Sequence, residues 1–257
     1  MHHIAANELQ KLQGFAEIGK RFKNTDLEHL DAPMAAFNYI RMVNFIADHI
    51  HHNWLPLGGT HLPFLDWGAG YGQITWLLKN RGVNATGYNI EEREHIDAIP
   101  ELAQLPITCH KDPVKLPFEK ESFAGVSSCG VLEHVSDPAG SLKEIHRILK
   151  PGGYFYLFML PQKTSWTEKL SEWRGCSVHP VRYTVAEIQR LLRENGFTVE
   201  KLWKFNLVPK NLTGLPHRAK RLYGRFYRLL YPLDEMLSRI PLLNLLSGVI
   251  EGVARKI

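Results

Sequence analysis

The run Phe64-Leu65-Asp66-Trp67-Gly68-Ala69-Gly70-Tyr71-Gly72-Gln73 sets one carboxylate ahead of three glycines at alternate positions. Without Cβ atoms, such a turn can stay tight and let a ligand approach the backbone. The apolar residues before it read as the end of a buried strand. Ile74, Leu77 and Leu78 after it fall on one helical face. Strand, glycine turn and helix make a ligand crevice at the carboxyl edge of an open α/β sheet. The spacing does not suit a pyrophosphate: Gln73 stands where G-x-G-x-x-G needs its third glycine, and no Gly-Lys-Ser/Thr follows. An acid before the turn suits a ligand with an ammonium group. An ordinary tight βα turn is the alternative reading.

The elements that must position this turn can be read along the chain. Asp31-Ala32-Pro33 signals a helix start, and Phe37, Ile40, Val43, Ala47 and Ile50 continue it to about His52. Residues 5–30 suggest one or two short helices. Strands are expected at 85–90, 106–111, 122–129, 154–160 and 197–205, with helices at 91–103, after Asp137-Pro138 and after Thr184-Val185-Ala186-Glu187, a capping box. Residues 161–182 read as a polar loop holding Trp166, Trp173 and His179, a substrate lid or a plain surface loop. Gly252-Val253-Ala254-Arg255-Lys256 suits a last, antiparallel strand.

Further motifs follow the glycine turn in register. They are Asp112 with Leu116-Pro117-Phe118, Ser122-Phe123 with Val126, Leu132-Glu133-His134-Val135, and Leu149-Lys150-Pro151-Gly152-Gly153. With Asp66-x-Gly68-x-Gly70-x-Gly72, this combination resembles the type 11 group of class I S-adenosylmethionine (SAM) methyltransferases, over about 64–160 and more weakly to about 205. The resemblance implies an α/β fold with a Rossmann-like, seven-stranded, mostly parallel sheet and helical N- and C-terminal additions. It divides the chain into an N-terminal helical cap (1–60), a SAM-binding domain (61–205) and a C-terminal extension (206–257) that could return the last strand.

The same resemblance implies the site residues. Asp66 would orient the turn and, directly or through water, the methionine amine. Gly68, Ala69, Gly70 and Gly72 would admit the cofactor against the backbone, and Asn89 would take the ribose. Asp112 would bond the adenine amine, Val114 would touch the ring, and Pro113 and Cys129 would also border the cofactor. Three positions depart from the pattern. Asn89 binds a hydroxyl less strongly than an acid would, Pro113 has no N–H to offer adenine, and Ala124 replaces an aspartate. A sulfonium methyl is already activated, so transfer needs chiefly a nucleophile placed in line with it. His134, just beyond the fourth strand, is the candidate general base; a purely structural histidine is the alternative. Gly130 stands where quinone-pathway relatives carry an extra Glu, so no metal is expected. DNA amines are disfavoured as substrates, since no Asn/Asp-Pro-Pro-Tyr follows the fourth strand.

Composition sets outer bounds. The 257 residues are 44% hydrophobic and 22% charged, ordinary for a globular chain. Three cysteines (Cys109, Cys129, Cys176) without a C-x-x-C pair argue for reduced thiols and a cytoplasmic setting. The first residues are too polar for a signal peptide, and no window of eighteen apolar residues occurs. His49, His51 and His52 do not share a helical face, so frayed-end histidines are expected rather than a metal site.

The net charge of +5 is uneven: residues 201–257 carry eleven Lys/Arg and three acids, which is +8, and the rest sum to −3. Arg218, Arg221, Arg225 and Arg228 share one helical face, with Leu222, Phe226, Leu229 and Leu230 adjoining. Pro232 should end that helix, and a second short one should run to Pro241. This tail suits a peripheral contact with an anionic membrane through 217–240, a lid over the substrate pocket, or, less well, a nucleic-acid surface or a dimer contact. Asn211-Leu212-Thr213 matches a glycosylation acceptor that a cytosolic chain would not use. The functional expectation is methyl transfer to oxygen, with carbon the other candidate atom. The acceptor would be a small or amphiphilic metabolite such as a lipid-linked sugar, quinone precursor or natural-product intermediate. A catalytically inactive SAM-binding partner or sensor is the alternative, and an NAD-dependent oxidoreductase a remoter one.

Overall fold

The computed structural model describes residues 2–23, 26–54, 61–175, 179, 181–210 and 222–257. Two long helices come first, α1 (His2–Arg21) and α2 (Pro33–Trp54), joined by a 3-10 turn at Glu28–Asp31. α1 is a single helix of twenty residues rather than the short pieces expected. The alternating core begins with β1 (Phe64–Trp67), α3 (Gln73–Asn80) and β2 (Ala85–Asn89). Only short turns, including α4 (Pro100–Ala103), lead on to β3 (Ile107–Cys109). The helix expected over 91–103 is thus replaced by a 3-10 turn at Ile96–Ala98 and by α4, because Pro100 restricts Ile99 and allows only a fresh start. Next come β4 (Phe123–Cys129), α5 (Pro138–Ile148), β5 (Leu149–Pro161), α6 (Trp166–Trp173), α7 (Val185–Glu194), β6 (Phe197–Phe205), α8 (Tyr227–Ser238) and β7 (Val249–Lys256).

Local signals account for several boundaries. The Asp137 side chain accepts from Gly140 N at 2.9 Å and Pro138 opens α5. Thr184 and Glu187 bond reciprocally across the first turn of α7. Each such cap is worth about 1 kcal/mol. Residues 161–182 are not simply a loop: Ser165 accepts from Glu168 N and starts α6. α8 runs through Pro232, which was expected to end it. Buried Tyr231 and Asp234, on either side of the proline, anchor the helix and outweigh the one lost backbone bond. Asp234 accepts from Val208 N at 2.7 Å and pairs with Lys210. The Tyr231 hydroxyl accepts from Arg41 Nε at 2.8 Å.

The sheet has seven strands in the order β3-β2-β1-β4-β5-β7-β6, parallel except for β7, which runs antiparallel to β5 and β6. Side chains alternate between its faces. Phe64 and Tyr156 pack with Leu12, Phe15, Ile40, Ile46 and Trp54 under α1 and α2. Leu65 and Phe155 pack on the other face with Leu142 and Ile145 of α5 and Ile188 of α7. Arg81 at the end of α3 ties the first layer together, donating to Glu8 of α1 at 2.8 Å and to Asn44 of α2.

Because β6 is parallel to β5 and β7 opposes both, the excursion 206–248 starts and ends at the same carboxyl edge as the ends of β1 and β4. Its two ends touch: Gly248 N donates to Asn206 O at 2.9 Å. Among the described residues no helix is long and apolar enough to cross a membrane. Cys176, Asn211, Arg218 and Arg221 lie outside the described residues.

Candidate active site

The glycine turn sits at the carboxyl end of β1, with Gly68, Gly70 and Gly72 all at positive φ. Gly68 N and Ala69 N both donate to Tyr88 O of β2, and Gly72 N donates to Ala69 O. A Cβ on Gly68 would stand 2.4 Å from Val131, and one on Gly72 would stand 2.7 Å from Leu105. Gly70 differs: its missing Cβ faces open space, with only Gln73 Oε1 near, at 4.0 Å. Two of the glycines therefore serve packing, and the third borders free space against the backbone.

Asp66 and Asn89 are buried beneath this turn and already engaged. Asp66 accepts from Thr75 Oγ1 at 2.8 Å and from Ser127 Oγ at 3.1 Å. Burial raises its carboxyl to about 6, against these opposing hydrogen bonds. Asn89 Oδ1 accepts from Gly70 N at 2.9 Å, while Nδ2 donates to Gly70 O at 2.7 Å. The asparagine thus holds the turn by both ends of its amide, a use absent from the ribose role read from the sequence. One amide hydrogen and one lone pair are left for a ligand.

The remaining expected residues come to the same edge. Asp112 Oδ1 accepts from Val114 N at 3.0 Å and Lys115 N at 2.9 Å, bonds that hold its carboxyl below the usual range. The Tyr88 hydroxyl donates to Asp112 O at 3.2 Å and so ties this loop, with Pro113, to β2. Cys129 ends β4 with its Sγ 3.8 Å from Met42 Sδ, and burial pushes its thiol well up.

Sequence reasoning missed the contribution of α2. Tyr39 lies outside the apolar stripe Phe37-Ile40-Val43, yet it is buried near Asp66, Gln73 and Cys129. A one-face stripe cannot find it, because α2 is covered on most of its circumference. Gln73 Oε1 is left buried without a partner. His49 was also misjudged: it packs against Tyr156, its Nδ1 3.0 Å from the hydroxyl, rather than fraying.

A second cluster lies past β4. Gly130 turns the chain at positive φ, and Glu133 is buried with Oε2 unpartnered. Burial raises this carboxyl to about 7. His134 is half-exposed, its Nε2 3.9 Å from Glu133 Oε1 and its ring 6.0 Å from that of His179. Burial, with His179 adding to it, lowers the His134 pKa. His179 receives the opposite push from Glu168, whose Oε1 lies 3.0 Å from Nδ1. Ligand atoms of Glu133, His134 and His179 fall within 4.8 Å of one another, close enough to hold a metal ion. The expectation of no metal rested on Gly130 and did not weigh His179.

Away from the crevice, a cavity of about 520 Å³ opens between α2 and α8, walled by Phe37, Arg41, Tyr227, Tyr231 and Pro232.

A family profile described as a methyltransferase domain matches residues 37–202. A ubiquinone biosynthesis O-methyltransferase of Pseudomonas aeruginosa is 33% identical over 116 residues, 41% of this chain and 48% of that one. An O-methyltransferase of Pyrenophora dematioidea is 26% identical over 153 residues, 56% of each chain. The chain thus spans about half the length of these curated relatives. Among solved structures, a SAM-dependent methyltransferase of Thermotoga maritima matches 93% of this chain and 98% of its own, with a TM-score of 0.55 at 18% identity. One from Methanosarcina mazei matches 80% and 96%, with a TM-score of 0.54 at 20% identity. At these identities the structures share the fold.

Proposed function

The chain belongs to the methyltransferase domain family, and we propose on that premise that it moves the sulfonium methyl of SAM to an oxygen of a small, amphiphilic acceptor. The observation that carries the cofactor is the open space at Gly70, bordered by the unpartnered Gln73 Oε1. A ligand with an ammonium end fits there, since Gln73 Oε1 accepts a hydrogen bond and the turn has neither the third glycine nor the Gly-Lys-Ser/Thr that suits a phosphate. When bound, SAM supplies an activated methyl for in-line displacement.

Asp66 and Asn89 act from below, fixing the turn so that the Gly70 backbone stays accessible. The free Oδ2 of Asp112 takes the adenine amine, and Val114 lies against the ring. His134 serves as general base at Nε2, where the imidazolium forms 3.9 Å from Glu133 Oε1. Its lowered pKa keeps the ring neutral and able to accept a proton at pH 7. Oxygen as the acceptor atom is supported by two curated relatives that are named O-methyltransferases.

Isothermal titration with SAM tests the cofactor, and transfer of labelled methyl into extract metabolites tests the reaction. Tight SAM binding without any labelled product would favour a binding partner or sensor. No SAM binding would end the proposal.

A further inference from the structure

Leu222, Phe226, Leu229, Leu233, Met236 and Ile240 recur at spacings of 4, 3, 4, 3 and 4, the period of one helical face. The backbone there is helical over 222–225, turns at Phe226 and continues as α8. All six side chains point outward, between 37% and 69% exposed. The opposite face is spent on the protein: Tyr231, Asp234 and Ser238 are buried. Leu242, Leu245 and Leu246 prolong the apolar surface beyond the helix. Scattered exposed leucines are ordinary, but a contiguous stripe of this length on a soluble fold marks an interaction surface.

Charge selects the occupant. Residues 206–246 carry seven Lys/Arg and two acids, a surplus of five in this excursion alone. Exposed Arg225, Arg228 and Arg239 flank the stripe. One acid, Asp234, is buried against Lys210, and the other, Glu235, is paired with Arg239 at 2.5 Å. A second copy docked through the same face would set these arginines against their own kind, since a two-fold interface repeats each patch. An anionic lipid surface neutralises them while the stripe enters the headgroup boundary. The cavity between α2 and α8 adjoins this face, with Arg228, Pro232 and Glu235 among its lining, and offers aromatic walls to a lipid chain.

We infer that the outer face of 222–246 seats the protein in the plane of an anionic lipid–water interface, with the carboxyl edge of the sheet turned toward the bilayer. The excursion leaves and re-enters the sheet at that edge, so an acceptor dissolved in the membrane reaches the crevice without crossing water. The docking stands whether or not the methyl acceptor proposed above is correct.

The test uses the full chain with equimolar phosphatidylglycerol–phosphatidylcholine vesicles, and with phosphatidylcholine vesicles alone. Flotation should show binding to the first at low salt, little to the second, and at least about a tenfold loss when salt screens the surface. The double variant Leu229→Glu, Met236→Glu should reduce binding by about tenfold or more, with unchanged circular dichroism and melting temperature. Sedimentation should show the unaltered chain with no self-association that the double variant abolishes. Absence of vesicle binding at low salt overturns the inference. So does equal binding by the double variant, or a dimer that the variant dissolves.

Discussion

The two halves of the carboxyl edge are built from different materials. On the β1–β2 side the crevice is backbone, held from below by buried Asp66, Thr75 and Asn89. On the β4–β5 side it is side chains, Glu133, His134, Glu168 and His179, carried by connecting segments, with two carboxylate oxygens buried and unpartnered. In the first half Asp66, Thr75 and Asn89 are hydrogen-bonded to their surroundings, and Gln73 Oε1 is a buried atom left open. The second keeps polar groups in reserve, as a site does when the missing partner arrives with the reaction. A cofactor common to a family suits the first arrangement, and an acceptor peculiar to one chain suits the second.

The sharpest way to break the contrast is to fill the turn. Gly68→Ala forces a Cβ to 2.4 Å from Val131 at a positive φ. It should reduce SAM affinity by about a hundredfold or more and cost several kcal/mol of stability, read by titration and thermal melting. On the other half, His134→Ala should lower kcat by about 10²–10⁴-fold with SAM affinity unchanged. In the unaltered enzyme the acidic limb of kcat/KM should fall below pH 6.5, because the His134 pKa is lowered. Full turnover by His134→Ala would remove it from the mechanism.

A smaller effect separates anchoring from binding. Asn89→Leu should weaken SAM by about tenfold through release of the Gly70 backbone, each lost hydrogen bond being worth roughly 1 kcal/mol.

Asp66→Asn acts on stability. The folded carboxyl lies at about 6 against an ordinary 3.8, so the fold favours its protonated form. Its contribution is complete below pH 3.8 and lost as pH rises through 6, about 3 kcal/mol in all. The cofactor-free variant should therefore lose that part of the decline in denaturation midpoint and keep the part due to Glu133, which extends to about 7. Least of all is expected from EDTA, which should leave turnover unchanged if Glu133, His134 and His179 work as proton carriers. Its abolition of activity, restored by a divalent ion, would convert this half into a metal site.

The two halves were also unequally legible. The Asp66–Gly72 turn, the Asp137 and Thr184 caps and the returning strand were all readable, because each depends on residues adjacent in sequence. Tyr39, Glu168 and His179 were placed by tertiary packing: α2 folds back over β4, and α6 carries Glu168 to His179. Asn89 was found at the right position with an incomplete role, since nothing local reveals that its amide would be claimed by Gly70. Pro232 misled because helix-breaking chemistry was weighed without the buried Tyr231 and Asp234 that hold α8 in place. The outward stripe of α8 was visible as a period, but its direction came only with the fold.

The hydrogen bond from Gly248 to Asn206 has a consequence for how such a protein can change. It makes the long excursion over the edge a detour whose entrance and exit share one doorway. A detour of that kind can be cut out, lengthened or traded for another while β6 and β7 remain zipped together. Selection could thus exchange this stretch as a cassette, leaving the Asp66–Gly72 turn across the sheet untouched.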